Sequence, residues 1–244
     1  MHRTLRAAAI VSAVGVLNRN TFCASEQRKE PKVAAVRRIQ HGDKIVHFVR
    51  HAEGEHNVAG REDPLKGYLR PELEDAVLTK HGINQCKNLH KSTVDKLQSV
   101  ELLVVSPMNR TIQTAMHSFP QFVDALPWVA IENVREQTGL HPCDKRKPIS
   151  VHKANYGHVN FDLIASNEDP IYSKYILREP DTDVAARGRE FIEWLKQRPE
   201  KEIIVVTHSA YLRHLFNRVL DIESDADREH FENCEMRTYI LRGD

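Results

Sequence analysis

From Lys44 to the end of the chain, short apolar runs alternate with stretches whose apolar residues recur at helical spacing. That alternation constrains the fold more than any other feature, because strands separated by helical crossovers assemble into a mainly parallel sheet covered on both faces. The expected class is α/β, in three layers α/β/α with a mainly parallel central sheet. The expected strands are Lys44 to Val49, Glu101 to Val105, Trp128 to Ile131, Glu202 to Val206 and Met236 to Leu241. Between them, Thr79 is placed to cap a helix carrying Ile83, Cys86, Leu89, Val94 and Leu97. A second helix follows Ser106-Pro107 with Ile112, Ala115 and Met116. A third runs from about Asp183 to near Pro199, and the last follows Thr207-His208-Ser209.

The chain has 244 residues, enough for one well-buried domain or two small ones. Its 35 basic and 34 acidic side chains nearly cancel, so no summed field points to nucleic acid or to an anionic membrane as partner. A basic feature that matters must therefore be local. Cys23, Cys86, Cys143 and Cys234 show no C-x-x-C spacing, so free thiols are expected rather than a disulfide framework or a zinc site. No other paired histidine spacing supports a metal, and His51 and His56 are expected on a loop that gives no fixed ligand geometry.

The first 40 residues are set apart as a leader and linker. Residues 1–25 lack any acidic side chain, and Arg3, Arg6 and Arg19 flank the apolar stretch Ala7 to Leu17. This stretch is too short to span a bilayer, and it fits a signal peptide about as well as an organellar transit peptide. Without such a leader the expected location is cytoplasmic. Residues 41–244 are expected to form a single domain with a lid insertion at about 138–180, where sustained periodicity stops. Nothing in the sequence specifies an oligomeric state.

The reactive side chains fall where strands end. Arg50 and His51 follow the first strand, Arg110 lies in the first turn after Ser106-Pro107, and His208 closes the run Ile203 to Val206. Open α/β sheets place ligands at that carboxyl edge. Two arginines and a histidinium can neutralise a phosphoryl group there, with helix N-termini adding backbone donors. Asn57 is either an ordinary turn residue or an uncharged donor to a phosphate oxygen. A leaving alkoxide needs a proton, and a carboxylic acid beside bound phosphate can supply it. By spacing alone, Glu136 and Glu132 are both candidates. Lys145 and Arg146 are candidate lid contacts to a second anionic group of the substrate.

Four ordered motifs resemble the histidine phosphatase superfamily, also called phosphoglycerate mutase-like. They are Arg50-His51-Ala52 with downstream Asn57, Leu78-Thr79-Lys80-His81-Gly82-Ile83-Asn84-Gln85, Ser106-Pro107-Met108-Asn109-Arg110-Thr111-Ile112-Gln113-Thr114-Ala115, and Thr207-His208. The resemblance implies a phosphoglycerate mutase-like fold in which His51 becomes phosphohistidine. It further implies that Arg50, Arg110 and His208 form the phosphate pocket with help from Asn57, with no metal and no cofactor. One branch of the superfamily has an Asp directly after the second histidine. Ser209 stands there in this chain, which favours the branch whose donor is a Glu, here Glu136.

The stretch after Glu136 departs from the Glu-Arg-x-Tyr-Gly-x-Leu of cofactor-dependent phosphoglycerate mutases. Gly139-Leu140-His141-Pro142-Cys143-Asp144-Lys145-Arg146 and Asn233-Cys234-Glu235-Met236-Arg237 resemble instead the phosphoglycerate mutase-like proteins of plants, fungi and protists. The expected activity is metal-independent hydrolysis of a small phosphorylated metabolite. A phosphomutase, or a catalytically weak phosphate-binding or scaffold protein, is the alternative.

Overall fold

A computed structural model describes residues 5–9, 40–175, 177–222 and 224–243. Eight strands form one sheet in the order β5-β4-β3-β6-β2-β8-β1-β7. β2 (Lys44–Arg50), β3 (Leu102–Val105), β4 (Trp128–Ala130), β5 (Val159–Asn160) and β6 (Glu202–Thr207) are mutually parallel. β8 (Met236–Leu241) runs antiparallel to β2. The backbone of Leu5–Ala9, within the expected leader, forms β1 between β8 and β7 (Leu220–Ile222). The remaining leader residues lie outside the described residues, apart from Gln40.

The sheet is buried on both faces, which is why its strands read as nearly unbroken apolar runs. Val46, Phe48, Leu102, Val104, Ile203 and Val205 point to one side, against α6 (Asp181–Gln197) and α7 (Ser209–His214) with the turn of helix that continues it to Val219. Phe191, Leu195, Leu212 and Phe216 fill that layer. Alternate residues Val49, Leu103, Val105, Ile204 and Val206 meet Ile112, Ala115 and Phe119 from α3 (Asn109–Ser118) and its end on the other side. Each fully buried Val, Ile or Phe contributes roughly 1.5–3 kcal/mol of transfer free energy. The expected three layers and mainly parallel sheet are thus present.

Thr79 caps α2 (Lys80–Thr93), its hydroxyl accepting from Gly82 N at 2.9 Å. Other features differ from the sequence reading. The segment after His51 is not a loop but α1 (Glu55–Glu62), started by Asn57 Oδ1 accepting from Gly54 N at 3.0 Å. The stretch 138–180 holds α4 (Ile149–Asn155), β5 and α5 (Pro170–Lys174), elements too short to leave a periodic signature. Cys86, Cys143 and Cys234 are free buried thiols. Among the described residues no helix is long and apolar enough to cross a membrane.

Candidate active site

Strand register brings the separate motifs together. Arg50 lies beside Thr207, and Val206 beside both Val49 and Val105, so β2, β6 and β3 end level with one another. Each chain then turns out at the same edge, delivering Arg50-His51, Thr207-His208 and Ser106-Pro107 to one place. The loop that carries His51 is tied on every side. His51 N donates to Thr207 O at 2.9 Å, and its own carbonyl accepts from Cys234 N at 3.3 Å and Asn233 Nδ2 at 3.0 Å. Ala52 N donates to Thr114 Oγ1, Glu53 N to Gln85 Oε1, and Leu78 N to Gln113 Oε1, each at 2.9 Å. Gly82 packs so closely that a Cβ there would lie 2.1 Å from Glu53 O. The motif residues that carry no reactive group are therefore the frame of the loop that does.

His51 is 2 % exposed, and its Nδ1–H donates to Ala52 O at 2.8 Å. That bond fixes the tautomer and leaves Nε2 without a proton. Burial, reinforced by Arg110 and Arg50, holds its pKa well below the ordinary value, which favours the neutral ring. Arg110 is 1 % exposed and fully directed: Nε donates to His208 Nδ1 at 3.2 Å, Nη1 to Cys143 O at 2.6 Å and Nη2 to Asp144 Oδ1 at 3.3 Å. With Nδ1 accepting, His208 carries its proton on Nε2 and donates to Ser106 Oγ at 2.8 Å. The His51 and His208 rings lie 5.2 Å apart. Arg50 is anchored through Nη1 to Phe231 O at 2.7 Å and His230 Nε2 at 2.8 Å, while its buried Nε has no partner. Arg50, His51, Asn57, Arg110 and Glu136 line one cavity of about 260 Å³.

His208 was expected to contribute positive charge to the pocket. Burial and the Arg110 guanidinium hold its pKa well below the ordinary value, which disfavours that charge and leaves Arg50, Arg110 and Arg178 as the cations lining the cavity. Glu136 and Glu132, equivalent by spacing, are separated by the fold. Glu136 lines the cavity and accepts from Tyr211 N at 3.0 Å, Ala210 N at 3.2 Å and Gln137 N at 2.8 Å, which seats its carboxyl on the first turn of α7. Glu132 is turned away, bound to Arg146 Nε at 2.8 Å and Arg135 Nη1 at 3.2 Å.

The two lid cations are not at the cavity. Arg146 is 1 % exposed and donates to Glu132 and to the carbonyls of Lys147, Ser166, Asn167 and Glu168, bracing the insertion from within. A guanidinium with five donors satisfies a buried loop in a way a sequence cannot distinguish from a solvated charge run. Lys145 pairs with Glu74 at 2.9 Å on the surface. In their place Tyr68, His141, Asp144 and Arg178 line the cavity, together with His56. None of these is among the site residues expected from the sequence, although His141 and Asp144 sit inside the quoted Gly139 to Arg146 pattern. Burial, with help from Glu136 and against the pull of Arg110 and Arg178, pushes the Asp144 carboxyl up to about 6. His56, expected on a loop, is a buried residue of α1 with its ring 5.4 Å from that of His51. Among the described residues no group of His, Cys, Asp and Glu is arranged to hold a metal ion.

A second cleft of about 280 Å³ lies at the opposite edge of the sheet, lined by Asp43, Glu101, Lys201 and Glu202 among others. Its lining also holds His41 and Ser99, but Lys201 is its one Lys or Arg, against three arginines at the carboxyl edge.

A neutral, oriented histidine between two buried arginines at the end of a parallel strand defines a class of phosphoryl-handling enzymes. Residues 46–244 match the histidine phosphatase superfamily (branch 1), and the chain belongs to that family. It is 37 % identical over 233 residues to a phosphoglycerate mutase-like protein of Arabidopsis thaliana, covering 82 % of this chain and 85 % of the relative. Phosphoglycerate mutase-like protein 1 of the same plant is 35 % identical over 235 residues, covering 82 % of each. Among solved structures, the alpha-ribazole phosphatase of Shigella flexneri superposes with a TM-score of 0.53 at 21 % identity. It covers 82 % of this chain and 95 % of that one, a likeness of fold.

Proposed function

We propose that the protein is a metal-independent phosphomonoester hydrolase that works through a phosphohistidine on His51. The observation that carries this reading is the His51 ring itself, favoured in its neutral form, tied through Nδ1 to Ala52 O, and lining a cavity with Arg50 and Arg110. In the first step Nε2 forms a bond to phosphorus as the ester oxygen leaves in line, and Glu136 gives that oxygen its proton. In the second step water attacks the phosphohistidine, gives a proton to the same carboxylate and releases inorganic phosphate with His51 restored. Arg50 and Arg110 carry the charge of the transferring group, a task metal ions perform in many other phosphoryl transfers. Asn57, with Oδ1 engaged by Gly54 N, has its Nδ2 left to donate to a phosphate oxygen. The cavity is below the roughly 300–1,000 Å³ usual for drug-sized ligands, which suits a small metabolite.

The test is product analysis with purified protein and a phosphorylated sugar acid. Release of inorganic phosphate without isomerised product supports the hydrolase. Isomerised product without net phosphate release would convert the same phosphoenzyme into that of a mutase and overturn the reading.

A further inference from the structure

Phosphoryl transfer uses one half of the cavity. A row of rings leads away from it: His56 lies 5.4 Å from His51, Tyr68 lies 6.2 Å from His56, and His141 stacks on Tyr68 at 5.2 Å. Beside this row sits Asp144, 5 % exposed, with Oδ1 toward Arg110 and Oδ2 3.7 Å from Arg178 Nη1 and 3.9 Å from His141 Nδ1. Arg178 is held by its backbone. Leu140 N donates to Leu177 O and Glu179 N to Thr138 O, both at 2.8 Å, and a Cβ on Gly139 would lie 2.2 Å from Leu177 O. Arg187 then clamps Glu179 through two bonds of 2.9 Å. A residue pinned this firmly at a cavity wall is built to meet something.

We infer that this half is a subsite for the hydroxyl groups of a phosphorylated polyol or sugar, with Asp144 accepting from one hydroxyl and Arg178 donating to its neighbour. The inference rests on the phosphomonoesterase reading and names its substrate class. Three observations carry it. An acceptor and a donor side by side match a vicinal diol, whereas a carboxylate or second phosphate would face the Asp144 carboxylate. Like charges brought together there repel one another. Arg178 does not reverse this, because Asp144 already matches its charge, and Lys145 and Arg146, the cations that follow Asp144 in the chain, are engaged elsewhere. Finally, the Tyr68 and His141 rings offer apolar faces for the carbon skeleton between the hydroxyls.

The experiment measures inhibition of aryl phosphate turnover, at pH 8, by glycerol 3-phosphate and by 3-phosphoglycerate. These two differ only in a CH₂OH group against a carboxylate. Wild type should bind glycerol 3-phosphate about tenfold or more tighter. Asp144→Asn should shrink that ratio by about tenfold, chiefly by improving 3-phosphoglycerate, and Arg178→Met should weaken glycerol 3-phosphate. A wild-type preference for 3-phosphoglycerate, or no inhibition by either compound, overturns the subsite, and neither measurement depends on a variant folding. An unchanged ratio in both folded variants overturns it too. Retained aryl phosphate turnover in His51→Ala would refute the phosphohistidine reading instead, which separates the two failures.

Discussion

Replacing Asp144 by Asn should stabilise the folded protein at pH 8, although it removes half of a buried ion pair. The Asp144 carboxyl lies at about 6 rather than the ordinary 3.8, and the attraction of Arg110 and Arg178 is already contained in that figure. At 1.36 kcal/mol per pH unit the difference is about 3 kcal/mol. The sign follows from proton binding. Between these two values the folded state holds a proton that the unfolded chain has released, so stability falls as pH rises through this window and stays low above it. Asn mimics the protonated form and escapes the loss. The gain should be about 3 kcal/mol at pH 8, roughly half that at pH 5, and near zero below pH 4. In a chain of this size it corresponds to a melting temperature about 6–12 °C higher. Urea titration of both proteins at pH 8 and pH 5 reads the difference directly. If the Arg110–Asp144 pair is instead net stabilising, the variant loses about 3–5 kcal/mol at pH 8, and the reasoning is refuted by sign alone.

Other consequences are simpler to measure. Glu136→Gln should slow alkyl phosphates at least about tenfold more than aryl phosphates, because aryl oxides leave without protonation; equal losses would point to another donor. Gly82→Ala should cost about 1–3 kcal/mol of stability and reduce kcat, since the new Cβ must displace Glu53 O two residues past His51; wild-type stability and rate would show that the frame around the loop yields freely. Treatment with a strong chelator should leave aryl phosphate turnover unchanged, and inhibition that added divalent metal reverses would contradict the metal-independent reading.

Much of this arrangement could be read before the fold was known. β2 and β6 were legible because burial on both faces forces unbroken apolar runs, and α2 because Thr79 supplies its cap. Arg50, His51, Arg110 and His208 were legible as a set because each falls where an apolar run stops, and parallel strands end together. Legibility failed where long-range partners decide. α1 is polar along most of its length and is started by the Gly54–Asn57 bond, a local geometry with no periodic signal. Lys145 and Arg146 read as lid contacts to a second anionic group, yet Arg146 points inward to four carbonyls and Glu132. Glu132 and Glu136 are separated only by what lies across from each, Arg135 and Arg146 in one case and the first turn of α7 in the other. Asp144 and Arg178 meet through the pairing of Gly139 with Arg178, a contact between residues far apart in the chain.

The central claim is that the phosphoryl group passes through His51. Wild-type protein turning over an aryl phosphate should be quenched in alkali, which preserves phosphohistidine, then digested and measured by mass spectrometry. The account predicts one phosphoryl group on the peptide carrying His51, absent from His51→Ala. A phosphoryl group on His56 or His208, or hydrolysis by His51→Ala at the wild-type rate, would contradict it.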